Sequence, residues 1–323
     1  MDNLLEIFAD AKITVEEAKK RISEMNLING FLFDSTLENK EDAIIIARNI
    51  LRAVYNRDFI INDVTSQKSF QAVDSIYHGI RMDAHITEDP DTKQWVATIY
   101  DMEMEDRQAD KKYLPKRLRY YGALNDVKKL ESGGQYDKLP NFVSITILSY
   151  DLFDAGDMYY QAKTVLFTHP DIEYNDGLDH IYLYCNGKPN FETNNSPIKL
   201  PPEHGKRLQE MLKYIISGQK PSISNADIEE IDKIVTKTKA REEVTTAYMR
   251  QVDREYSLMR EVQEKDNKEA ALKIIRVERK RKIPDNEIRE DIAEEFGYSD
   301  SFIEELFQII DSQANAVTSD SRY

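Results

Sequence analysis

Four carboxylates fall where two β-strands would present them together. Asp83 is on the first strand; Asp101, Glu103 and Glu105 are on the second. Residues 80–87 alternate, with Ile80, Met82, Ala84 and Ile86 on one side and Arg81, Asp83 and His85 on the other. Trp95 to Glu105 reads as a longer strand. Val96, Thr98, Tyr100, Met102 and Met104 share one of its faces, and Trp95, Ala97, Ile99, Asp101, Glu103 and Glu105 share the other. Asp89-Pro90-Asp91 has turn chemistry, so the two strands form a hairpin. Acids crowded on one sheet face repel each other. A hard divalent cation, Mg2+ or Mn2+, relieves that repulsion and prefers oxygen ligands. Held this way, it polarises a phosphodiester and activates a water. The competing reading is the solvated face of an acidic hairpin.

Charge along the chain is segregated around this hairpin. Residues 83–106 hold eight acids and one base, Lys93. Residues 107–129 hold eight bases, including Lys112, Lys116, Arg117 and Arg119, against two acids, Asp110 and Asp126. A carboxylate metal site beside a basic helix suits cleavage of a polyanion, since the bases neutralise phosphates while the metal serves hydrolysis. An ordinary solvated helix face fits the same bases. The whole chain has 323 residues with 44 Lys+Arg against 59 Asp+Glu, a formal charge of −15, which excludes a simple polycation.

Other residue types offer less. His78, His85, His169, His180 and His204 do not pair at metal-ligand spacing. The lone Cys185 excludes an internal disulfide and a multi-cysteine zinc site, and reads as a buried structural thiol. No glycine-rich phosphate loop is present. Met1-Asp2-Asn3 carries no basic stretch, and no apolar run approaches the ~18 residues of a membrane span. The expectation is a soluble, cytoplasmic protein with no membrane partner.

The positioning elements follow from periodicity. Residues 2–27 read as a polar helix interrupted near 11–14, and a second helix runs from about Lys40 to Tyr55. Phe59 to Ser66 reads as a strand, followed by the hairpin. Pro115 opens a helix of about 15 residues, as proline does in a first turn. The apolar Asn141–Ser149 suits a buried central strand. Lys163–Phe167 and Ile181–Tyr184 are further strand candidates, and Asn186-Gly187 supplies a turn after the latter. Glu203 to Ile216 reads as a helix. From Asn225 to about Lys282 the chain reads as charged helix with a thin stripe of Tyr248, Val252, Tyr256, Met259 and Val262. The run Arg276–Lys282 is basic. Residues 285–311 read as two short helices split at Gly297-Tyr298, with ten acids and one base, which favours partner or dimer contact over DNA reading.

With those residues in hand, the chain resembles a known family. HGIRMDAHI (78–86), WVATIYDMEME (95–105) and LPKRLRYYGALND (114–126) resemble the Rpn family, the recombination-promoting nucleases or PD-(D/E)XK nuclease family transposases. The likeness continues through GGQYDKLPNFVSITILSYDLF (133–153) and DIEYNDGLDHIYLYCNGK (171–188), and it reaches EEVTTAYMRQVDREY (242–256). It implies a restriction-endonuclease-like α/β core, αβββαβ, with a central mixed sheet flanked by helices and a mainly helical C-terminal extension. The periodicity reading arrives at the same element order.

The resemblance also implies site residues. Asp83 and Glu103 would bind Mg2+ or Mn2+ and orient the attacking water. The family has Lys or Gln two residues later, where this chain has Glu105. Glu105 then adds a ligand or acts as a base; or the lysine has moved, with Lys68 and the Arg117/Arg119 helix as candidates; or catalysis is lost. Lys112, Lys116, Arg117, Arg119 and Tyr120 would meet nucleic acid, and core packing is the competing role for Tyr120 and Tyr121. The implied division is a helical segment 1–27, a nuclease-like domain 28–220, a charged helical region 221–282, a helical hairpin 283–311 and a disordered tail 312–323. The expected function is metal-dependent DNA endonuclease in a mobile-element, recombination or phage-defence setting, with a possible homo-oligomer through the C-terminal helices. The alternative is a catalytically degenerate nuclease fold that binds DNA or protein.

Overall fold

Asparagine caps and apolar helical spacing set the first elements. In the computed structural model, residues 13–70, 80–88, 98–130, 134–190 and 202–320 are described. Helix α1 (Val15–Glu24) starts at Thr14, whose side chain accepts from the Glu17 N–H; the earlier part of the expected first helix lies outside the described residues. Helix α2 (Gly30–Thr36) is capped by Asn29, and α3 (Lys40–Tyr55) by Asn39. Ala43, Ile46, Ala47, Ile50, Leu51 and Val54 form the buried face of α3, and Asn56 ends it in the left-handed region at φ 51°.

A mixed six-stranded sheet follows. It comprises β1 (Ile61–Phe70), β2 (Ile80–Glu88), β3 (Thr98–Glu105), β4 (Asn141–Leu148), β5 (Tyr159–Lys163) and β6 (Leu178–Tyr184), in the order β1-β2-β3-β4-β6-β5. The β1–β2 and β2–β3 pairs are antiparallel, β3, β4 and β6 run parallel, and β5 is antiparallel to β6. Helix α4 (Leu114–Lys129) connects β3 to β4, so the order from α3 onward is αβββαβ, as read from the sequence. Helices α5 (Pro202–Ser217) and α6 (Ala226–Lys239) come after the sheet.

The two sheet faces bury different chemistry. Ala84, Ile86, Tyr100, Met102, Met104, Ile145, Ile147 and Leu183 join α3, α5 and α6 in one apolar core. Asp227 of α6 sits in its edge, buried, and ties Arg52 of α3 to Arg207 of α5. Cys185 is buried here, and burial pushes its thiol up to about 12, which agrees with a structural thiol. The opposite face lies under α4. Its contacts are two smaller clusters, one of Ile99, Leu124 and Phe142 with Tyr121 and Leu178, the other of Leu114, Leu118, Leu148, Tyr150, Leu152 and Tyr182.

Contacts gather residues 14–248 into one unit, where 28–220 is expected; α6 packs into its core and α1 packs against α6. A second unit begins at Met249. It takes in the rest of α7 (Glu242–Lys280) together with α8 (Asp285–Phe296) and α9 (Asp300–Asp320), closed over Ala271, Ile275, Ile288, Ile292, Ile303, Leu306 and Phe307. Gly297 at φ 65° ends α8. Within the basic run 276–282, Arg279 is turned to Asp285 and Asp311, and Arg276 to Gln313. Helix α9 continues to Asp320, through the start of the tail expected from residue 312. No helix among the described residues is long and apolar enough to cross a membrane.

Candidate functional site

The carboxylate face of β3 is buried. Asp101 is 0%, Glu103 5% and Glu105 6% exposed, so the solvated-hairpin reading does not hold for these three. Alternation sends Tyr100, Met102 and Met104 into the main core and the three acids to the other side, where α4 covers them. Helix α4 docks through Leu114 and Leu118 at one end and Leu124 at the other, with Tyr121 reaching both clusters. The acids lie between those two apolar patches.

Register extends the polar stripe across the sheet. In the parallel β3–β4 pair, Asp101 lies beside Ser144, Glu103 beside Thr146 and Glu105 beside Leu148. In the β4–β6 pair, Ser144 lies beside His180 and Thr146 beside Tyr182. Ser144 Oγ and His180 Nδ1 are 2.6 Å apart. Burial lowers the His180 pKa, with Asp179 and Asp176 pulling the other way. Thr146 is fully buried, and its Oγ1 has no hydrogen-bond partner among the described residues. Buried polar groups are costly unless satisfied, so this stripe adds nothing to the apolar packing of α4.

One arginine enters this stripe. The Arg117 guanidinium, at the first turn of α4, lies 2.5 Å from Glu105 Oε2 and 3.2 Å from Glu103 Oε2, through the same nitrogen. Glu105 Oε1 accepts the Arg107 N–H at 3.0 Å, so both Glu105 oxygens are used. Burial works against the Arg117 charge, and Glu103 and Glu105 more than offset it, holding its pKa above the ordinary arginine value. Helix phase explains the direction. Leu114 and Leu118 face the sheet, and Arg117, one residue from Leu118, lies at the margin of that face.

The other expected contacts divide. Lys112, Lys116 and Arg119 are exposed, and Tyr120 is 37% exposed on the outer side of α4. Tyr121 packs inward, so core packing describes that tyrosine and not Tyr120. Asp83 lies in β2 and Lys68 in β1, whose backbone pairs with Met82. The side chains of both lie outside the described part of the structure. Among the described residues, no group of three or more His, Cys, Asp or Glu side chains is arranged to hold a metal ion.

Asn141–Ser149 reads from the sequence as short, apolar and β-branched, a reading that does not single out Ser144 and Thr146. Their signal was present, since both stand at alternate positions of one strand face. His204, the other histidine with a lowered pKa, is buried against the Ala53 and Val54 carbonyls beneath α3 and has no place in this stripe. Compared with family models, curated proteins and solved structures, the chain matches none.

Proposed function

We propose that the chain is a DNA endonuclease with a restriction-endonuclease-like core that hydrolyses phosphodiester bonds with Mg2+ or Mn2+. The observation that carries this reading is the buried Glu103–Glu105–Arg117 constellation, lying under a helix whose outer side is basic. The residues fit a hard cation. They are oxygen donors, the face already accommodates a positive charge, and Thr146 Oγ1 beside Glu103 lacks a partner among the described residues. Glu103 would hold the ion together with Asp83, which the β2–β3 register, continued one residue past Ala84–Met102, sets opposite Glu103.

When bound, the divalent cation supplies Lewis-acid polarisation of the phosphate and a more acidic water. The chain's own groups do the rest. Glu105 orients Arg117, and Arg117 brings a positive charge to the carboxylate face. It is a positive charge of the kind Glu105 itself cannot supply, and it comes from α4. Lys112, Lys116, Arg119 and Tyr120 offer an exposed surface to the DNA backbone. The recombination, mobile-element or phage-defence setting follows from the Rpn resemblance alone.

Purified protein incubated with supercoiled plasmid and Mn2+ tests this, with EDTA as the metal-free control. Cleavage is expected to require metal and to fall by about a hundredfold or more in Asp83→Ala and in Glu103→Ala, exceeding the ~10–100-fold typical of groups one step removed from a metal. Undiminished cleavage by Glu103→Ala would place the chemistry elsewhere. A second reading, a non-catalytic DNA- or protein-binding module, is favoured by the ion pairing of Glu103 and Glu105 with Arg117. Plasmid retarded on a gel but left uncut would select it.

A further inference from the structure

We infer that Arg117 is a resident cation of the carboxylate face and that a divalent ion displaces it from Glu103. The inference rests on the metal site of the reading above and concerns what holds that site together before the ion arrives. Glu103 and Glu105 are two positions apart on one buried strand face, so their charges need a positive charge between them. One Arg117 nitrogen provides it by contacting both.

The two contacts are unequal. The Glu105 contact is 2.5 Å, and Glu105 is further anchored by the Arg107 N–H. The Glu103 contact is 3.2 Å, the weaker arm of the bridge. Thr146 Oγ1, fully buried on the neighbouring strand beside Glu103, has no hydrogen-bond partner among the described residues and is a further oxygen on the same side. A divalent cation on Glu103 repels the guanidinium and breaks the longer contact first. Arg117 then stays on Glu105, which keeps it within the partly exposed margin of α4 where Lys116 and Arg119 also lie. Glu105 is therefore a positioning residue for Arg117, and the carboxylate face keeps a compensating positive charge in both states.

Competition has a definite sign. Titration of the full-length protein with Mn2+, read by electron paramagnetic resonance without DNA, measures it. Arg117→Gln removes the competing charge and is expected to bind Mn2+ about tenfold more tightly than the wild type, the size of effect one neighbouring unit charge commonly has on a carboxylate. Arg117→Lys keeps the charge on a shorter reach and is expected to fall between the two. It carries the test if Arg117→Gln does not fold. In both backgrounds Glu103→Gln should abolish the binding. Equal or weaker Mn2+ binding by the Arg117 variants, or binding that survives Glu103→Gln, overturns the exchange while leaving metal-dependent cleavage to be judged separately. Absence of Mn2+ binding by every protein overturns the metal site itself and the exchange with it.

Discussion

Side chains of three strands meet under α4, and several are held by a neighbour. Glu105 is fixed by the Arg107 N–H and by Arg117, and Ser144 by His180. His180 makes the stripe sensitive to pH. Burial holds its pKa below the ordinary value of 6.5, so the folded protein keeps it neutral where the unfolded chain takes up a proton. Its contribution to stability is therefore complete above about 6.5 and is lost as pH falls from there toward the folded value. His204 acts with the same sign. Thermal melts at pH 7.5 and 5.5 are expected to show a loss on acidification that is smaller in His180→Asn. An identical loss in the variant would mean that His180 does not titrate out of step with the unfolded chain.

Elements position these side chains through turns and docking, and the turn after β6 is the least tolerant of change. A Cβ on Gly187 would lie 2.4 Å from the Asp157 carbonyl oxygen and 2.5 Å from the Met158 Cα and N. Those are backbone atoms beside a fully buried Met158, and they have no rotamer to change. Gly187→Ala is expected to cost about 2–4 kcal/mol in urea unfolding; a change under about 0.5 kcal/mol would show that the β6 turn yields. The same turn explains a difference from the sequence reading. The sequence offers Lys163–Phe167 as a strand candidate, yet its Val165 and Phe167 are exposed, and β5 lies at Tyr159–Lys163 where Met158 is drawn into the core. Helix α3 was legible to the residue because Asn39 and Asn56 mark its ends and its apolar spacing is unbroken. Helix α2 was not, since seven residues carry too short a period to read. Alternation alone placed Asp101, Glu103 and Glu105 on one face. That α4 covers this face depends on where Leu114 and Leu118 dock, and that Arg117 turns inward depends on the resulting helix phase; neither is a local property of the sequence.

Across the whole molecule, the charge of −15 is a sum over unlike parts. Buried acids on β3 are matched in part by Arg117, the outer side of α4 is basic, and the 285–311 segment of the second unit is acidic. On the function proposed above, the buried stripe serves chemistry and not stability. Replacing a buried ion-paired group with apolar side chains of similar volume is commonly neutral or stabilising, by about 1–4 kcal/mol, whereas removing one partner costs about 3–5 kcal/mol. The triple variant Glu103→Leu, Glu105→Leu, Arg117→Met removes the whole constellation at once. The most direct measurement is Mn2+-dependent plasmid cleavage by this variant, with its folding verified by circular dichroism. The account predicts a folded protein, at least as stable as the wild type, with no metal-dependent cleavage. A folded triple variant that cleaves at the wild-type rate would contradict it.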